Sequence, residues 1–454
     1  MWTTQFRKNS RWWMTAVACV LCTGPVVAYP VLTFTVASHK VPFKNTTSTG
    51  NISHPSDETY PLTITLGHQY LIVDKPGTRT IYDFDQRRIL QVDLTAKSYT
   101  DVSLYLDIGF RAVEFQNRIM LGTALQAVKD AVNPMEPALM EQLFSLSNPK
   151  GGAVIDQRHT DGIAEFSWQK QKLMSVSDKT RELPAGYQSE YWRFLRYYAG
   201  GHPKIYAALA STQGVPEMVT FVLTNANIET RDMTLEAIRV DVDAPYSLDG
   251  FVPAPSVEEP YKTLKLLGPD AVAQLAERAE TTSKARDAAF AQGHVLDALL
   301  ANIALSIMTG DKEAATAWTS QHRDAIQGDA SAHSLAANLS PRDTAAAQAA
   351  VEVLADLHQH AESMGYMLDV FEGNTRLSLG DGQGGTDHLL SALKLNPYLL
   401  GAWSDLAGYY YRGLYADEAW ACWDAARRVN PQHLMLLPVT DMENRLRASF
   451  PEFF

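Results

Sequence analysis

Residues 402–431 read AWSDLAGYYYRGLYADEAWACWDAARRVNP, and this stretch sets the architecture of the C-terminal half. Trp403, Leu406, Ala407 and Tyr410 recur at three- and four-residue spacing, the apolar stripe of an amphipathic helix. Arg412-Gly413 interrupts the stripe. Ala419, Trp423 and Ala426 then repeat the period, and Pro431 opens the next element. Ala407 and Ala419 are small where two helices must cross closely, and the aromatic residues fill the space beside them.

This pattern resembles the tetratricopeptide repeat, with Trp423 in place of the usual Phe or Tyr. Thirty-four residues earlier, Gly373, Leu389, Ala392 and Pro397 keep the register, whereas Asp369, Glu372 and Arg376 stand where Trp, Leu and Tyr belong. Ala314 and Trp318 mark a more divergent unit between 293 and 327, and residues 431–450 read as a polar-faced capping helix. The resemblance implies a concave groove lined by Ser404, Gly408 and Tyr411 and, one repeat earlier, by Val370, Asn374 and Leu377. Asn374, Ser404 and Tyr411 are the candidate contacts for a protein or peptide partner: asparagine bonds peptide backbone, and tyrosine offers apolar area plus a hydroxyl. The competing expectation is that the array packs against the other half of the chain.

Outward from this unit, residues 268–454 are alanine-rich and helical, with small breaks at Thr309-Gly-Asp311, 380–385 and Arg412-Gly413. Pro253-Ala-Pro255 and Glu258-Glu-Pro260 mark a Pro-rich linker at 253–267. Across 61–252 the period is two. Leu62-Thr-Ile-Thr-Leu, Tyr70-Leu-Ile-Val, Thr80-Ile-Tyr-Asp-Phe and Ile89-Leu-Gln-Val-Asp-Leu predict consecutive antiparallel hairpins. Helices are predicted over 106–131, 137–146 and 191–199, with strands resuming at 153–155, 163–168, 172–176, 218–223 and 233–242. The class is therefore α+β, a curved antiparallel sheet with inserted helices, followed by an all-α repeat domain. The hairpin run from Thr78 to Thr100 is similar to exported half-barrel domains of the lipoprotein-carrier type, which implies an apolar cleft for lipid within this domain.

The N-terminus carries Arg7, Lys8 and Arg11, then an uncharged apolar stretch from Trp12 broken at Gly24-Pro25. This is the pattern of a secretory signal over 1–28, with cleavage after Ala28 or, second, after Ala37. An uncleaved anchor is the alternative, and would be the only membrane contact. Residues 29–60 read as a flexible leader. Location is thus exported, periplasmic or envelope-associated. Removing 1–28 deletes three cations and no acid, taking the net charge from −12 to −15. An acidic chain excludes nucleic acid as a partner, since backbone binding needs clustered cations. Cleavage also removes Cys19 and Cys22 and leaves Cys422, set in an aromatic helix as a buried thiol.

Catalytic spacing is absent. Ser167-Trp-Gln-Lys170 falls on a predicted strand rather than at a helix start, and no Lys-Thr-Gly follows. His358 and His360 lie two apart on a helix and point to different faces, so they read as solvated rather than as metal ligands. His159-Thr-Asp161 and Gly385-Thr-Asp-His388 lack a nucleophile elbow. The expectation is an exported adaptor holding a protein or peptide, with a lipid or lipoprotein carrier as the alternative and an enzyme built on its scattered acids and histidines as the third reading. No cofactor or metal is expected.

Overall fold

The computed structural model describes residues 29–42, 55–126, 136–148, 152–224, 227–241, 246–254, 261–268 and 270–454. The signal expected at 1–28 lies outside them. The strands are β1 (Tyr29–Pro42), β2 (Ser56–Leu66), β3 (Tyr70–Lys75), β4 (Thr78–Asp83), β5 (Arg88–Asp93) and β6 (Ser98–Ser103), then β7 (Asp156–Thr160), β8 (Ile163–Trp168) and β9 (Gln171–Ser177). After them come β10 (Thr180–Arg181), β11 (Val215–Pro216), β12 (Met218–Thr224), β13 (Asn227–Asp241) and β14 (Val252–Pro253). Twelve strands form one sheet in the order β14-β6-β5-β4-β3-β2-β1-β13-β12-β9-β8-β7; β10 and β11 pair separately. Every pairing in the large sheet is antiparallel except β14 on β6. The sheet is open and uncurled, where the hairpin run leads one to expect a curve.

The expected leader is in fact structural. β1 lies in the middle of the sheet between β2 and β13, and Leu32, Phe34 and Val36 alternate into the core. Residues 43–54 lie outside the described part, and β2 takes up the chain at Ser56. The expected linker is also partly built in, since β14 adds an edge strand at Val252–Pro253.

Four helices belong to this half: α1 (Leu104–Gln126), α2 (Pro137–Phe144), α3 (Gln188–Ala199) and α4 (Pro203–Leu209). They cover one face of the sheet, burying Phe34, Ile64, Phe166, Phe221, Tyr191 and Phe194 together. The period of two explains the two faces: Leu71 and Val73 point to the helices, whereas Tyr70 and Ile72 point away. The second face is covered near β3–β5 by Tyr246, Leu248 and Phe251.

The remaining helices are α5 (Tyr261–Leu264), α6 (Ala271–Ala291), α7 (Val295–Thr309), α8 (Lys312–Gln321), α9 (Arg323–Gly328), α10 (Ala330–Asn338) and α11 (Thr344–Leu357). They continue with α12 (Tyr366–Ser378), α13 (Gly382–Leu395), α14 (Leu400–Arg412), α15 (Ala416–Val429) and α16 (Leu437–Ser449). The bounds of α14 and α15 are those of α12 and α13 displaced by thirty-four residues, so this region contains a helical repeat. Trp403, Leu406, Ala407, Ala419 and Ala426 are fully buried, and Trp423 nearly so. In the earlier pair glycines stand at the crossing and leave no room for a Cβ. A Cβ on Gly373 would come 2.9 Å from the Gly385 carbonyl oxygen, and one on Gly385 2.8 Å from that of Gly373.

α7 is apolar on nearly every side, and such a helix must be enclosed. It packs against α10, α12 and α14, with Ile307 touching Gly401. Its Asp297 ties down the turn before α12, accepting from the backbone N–H groups of Glu362, Ser363 and Met364 at 2.8–3.0 Å. Burial pushes the Asp297 carboxyl up, but these bonds and the Ser363 hydroxyl outweigh it and hold the group below the usual aspartate range.

The two halves share a seam. The C-terminal Phe453 is fully buried in the sheet's core, its ring edge-on to Tyr197 at 5.3 Å, and its carbonyl accepts from the Tyr197 hydroxyl at 2.8 Å. α16 is therefore no free cap: Leu446 packs into both cores and lies with Trp420 over Gly109 of α1.

Two stability outcomes follow from these contacts. Phe453→Ala should lower unfolding free energy by about 3–5 kcal/mol in urea titration; a loss under about 1 kcal/mol would take the tail out of the core. Asp297→Asn should cost about 1–3 kcal/mol at neutral pH. Because the folded carboxyl is lowered, its contribution is present above the ordinary aspartate range and disappears as pH falls through the folded value. The gap between wild type and Asp297→Asn should accordingly close in acid; a constant gap would contradict the charge-based origin.

Candidate functional site

A cleft of about 1150 Å³ opens where the sheet's β4–β6 edge meets the helical half. Its floor is built by the strand period: Tyr82, Ile89, Gln91, Thr100 and Val102 stand on the same face of β4, β5 and β6. α1 supplies Leu106, Asp107 and Phe110, the segment after β14 supplies Ala254, and α5 with the turn after it supplies Leu264, Lys265 and Leu267. Asp417 and Arg428 of α15 close the last side. The volume matches or slightly exceeds the roughly 300–1,000 Å³ pockets that hold small ligands. Phe110 is 56% exposed at the mouth and begins a row of exposed apolar side chains on α1, continued by Val113, Met120 and Leu121.

One ion pair fixes the cleft's inner wall. Arg88 donates to Asp101 at 2.6 Å and to Asp424 of α15 at 2.5 Å. Burial would depress this guanidinium, but the two carboxylates more than offset it, so Arg88 is held above its usual value. On the opposite wall Asp107 accepts from Arg111 at 2.9 Å.

The cleft lies only partly within the domain where the carrier resemblance expects one, since α5, α15 and the segment around β14 supply its remaining walls. α1–α4 cover much of the helix-facing side of the sheet, and the open volume lies over that same side at β4–β6, where the helical half meets it.

The expected groove residues are scattered in environment. Val370 is 2% exposed, enclosed in the core, so it is no ligand contact, and Leu377 packs against that core. Asn374 spends its amide on Asp405 of α14 at 2.7 Å. Ser404 and Gly408 are partly exposed; Tyr411 is 37% exposed, its ring 5.5 Å from Trp423 and 6.0 Å from Trp420. Of the repeat's structural positions, Tyr410 packs on the core and Pro431 is exposed after α15. In the divergent unit Trp318 is buried but Ala314 is exposed, and Asn302 bonds the Ala315 carbonyl at 2.9 Å instead.

The off-pattern residues Asp369, Glu372 and Arg376 form an ionic cluster. His388 sets Nδ1 2.8 Å from Asp369 and Nε2 3.1 Å from Glu372; Arg376 bonds Glu372 at 2.7 Å and Asp381 at 3.0 Å. His358 is only partly solvated: its side chain is half-exposed, but its Nε2 is enclosed, without a hydrogen bond, 3.7 Å from Asp369. His360 instead stands exposed beside Asp356. Among the described residues no group of three or more His, Cys, Asp or Glu side chains is disposed to hold a metal ion.

A second enclosed network ties α2 to α4. Glu141 faces His202 at 3.1 Å and accepts from the backbone of Asn148 and Ala153. Burial raises the Glu141 carboxyl, but these bonds bring it below its ordinary value. Its donors and acceptors are engaged within the fold, so it acts as a staple. Ser167 lies on β8, His159 pairs with Asp178 on the surface, and Cys422 is buried, its thiol pushed well up by that burial.

No protein-family model matches the chain, and no curated protein does either. Function is therefore argued from the cleft. The bridge that walls it is testable: a double-mutant cycle of Arg88→Ala with Asp424→Ala should return a coupling of about 1–3 kcal/mol in urea unfolding, and additivity would remove the bridge from the seam's energetics.

Proposed function

We propose that this is a non-catalytic binding protein of the exported compartment, in which a sheet domain clamped to a tetratricopeptide-type array holds an elongated apolar ligand in the seam cleft. The observation that carries this reading is the cleft itself, lined by the half-buried Val102, Leu106 and Leu264 together with the core side chains Ile89 and Leu267. The exposed row on α1 that begins at its mouth gives an apolar ligand a path of entry.

The adaptor reading keeps one specific support, the partial exposure of Ser404, Gly408 and Tyr411. A peptide there would meet only the open half of the groove, because α7 packs against α12 and α14.

Export rests on the basic-then-apolar N-terminal pattern, and the position of β1 bears on the cut site. A cut after Ala28 spares the buried Leu32, Phe34 and Val36, whereas a cut after Ala37 would remove them from the core. No helix among the described residues is long and apolar enough to cross a membrane.

Native mass spectrometry of protein purified from an exported fraction should show a bound lipid or other apolar small molecule. Thr100→Trp, at an exposed position on the cleft floor, should abolish its retention without changing the unfolding midpoint. Retention unchanged in Thr100→Trp would sink the assignment. N-terminal sequencing of the same material should begin at Tyr29.

A further inference from the structure

The charges around the cleft are unevenly satisfied. Three acids reach its lining, and each is engaged: Asp101 by Arg88, Asp107 by Arg111, and Asp417 within the fold. Two cations reach it as well. Lys265 follows α5, and Arg428 stands in the last turn of α15. Neither has an acid partner among the described residues. For Arg428 the reason is visible. Asp424, four residues earlier, is its natural partner on the helix. Asp424 is drawn off instead to Arg88 at 2.5 Å and Arg427 at 3.5 Å. The bridge that locks the seam therefore leaves an arginine uncompensated at the cleft's edge.

Resting on the reading of the cleft as a ligand site, we propose that its ligand is a single-chain amphiphile with an anionic oxyacid head, a carboxylate or a phosphate monoester. The chain lies along Ile89, Val102, Leu106, Leu264 and Leu267, and the head is met by Arg428 and Lys265. Arginine presents a planar fork to two oxygens and lysine a mobile point charge, so the pair suits either head. A cationic head is disfavoured, because every acid it would seek already has a partner.

Binding of tetradecanoate, tetradecyl phosphate, tetradecanol and tetradecylammonium, each below its micellar concentration, separates the possibilities by displacement of a fluorescent fatty-acid analogue. Either anion should bind about tenfold or more tighter than the alcohol, as a charge-assisted bond predicts, and the ammonium weakest. The two anions compared with each other identify the head. Lys265→Gln with Arg428→Gln changes two exposed side chains, and circular dichroism checks its fold. This variant should bring anion and alcohol within about twofold of each other, and added salt should act in the same direction. If the alcohol or the ammonium binds wild type as tightly as the anions, or if the double variant keeps the preference, the head assignment is wrong while the cleft reading stands. If none of the four displaces the probe, or Thr100→Trp binds them unchanged, the cleft reading itself falls.

Discussion

Everything at the seam depends on the insertion of the chain's last turn into the first domain's core. Phe453 fills a place among Tyr197, Arg111 and the helix-facing side of the sheet, and its carbonyl is held by Tyr197. Burying an aromatic ring there fixes where α16 runs, and α16 fixes α15 against α1. The array cannot swing free of the sheet while that ring is seated. Arg88, reaching from β5 to Asp424, then finds its second carboxylate at bonding distance without reorganisation. The two halves meeting there leave a gap between β4–β6, α5 and α15, and that gap is the cleft.

Local order was legible in the sequence to the extent that it was local. The spacing of Trp403, Leu406, Ala407, Ala419 and Ala426 describes a helical pair because those side chains meet within one hairpin. The β3–β6 hairpins were readable for the same reason. β1 shows the opposite case. Leu32, Phe34 and Val36 alternate as a strand should, yet one of its two partners is β13, some two hundred residues away. Nothing near residue 30 announces that pairing, and polar residues after Ser38 make the segment look like a tether. The off-pattern Asp369, Glu372 and Arg376 were visible as departures from the repeat. That they close a network with His388 and His358 follows only from the packing of α11, α12 and α13.

The carrier resemblance implied a cleft in the first domain, but its lining was not legible, and for a physical reason. Its lining is drawn from positions between Tyr82 and Arg428, on strands, an edge segment and three helices. No short spacing encodes it. Read alone, Asp424 and Arg428 are an ordinary i,i+4 pair on a helix surface, worth a few tenths of a kcal/mol. The sequence has no means of saying that Arg88 claims the aspartate.

These features bear on which kind of binding the chain is built for. A repeat array that receives peptides must keep its concave face open, since the partner takes the place a further helix would occupy. Here α7, apolar on nearly every side, packs against α12 and α14, while the last helix is sealed onto the sheet. On the adaptor reading, a strand-like ligand would be limited to the open half of the groove. The cleft at the junction is lined by half-buried apolar side chains beside two cations that have no acid partner among the described residues. An apolar lining favours a hydrophobic ligand, and uncompensated charge selects its sign. On the proposed reading, a groove half closed by α7 and a cleft left at the seam place recognition at the boundary between the two halves rather than in the array.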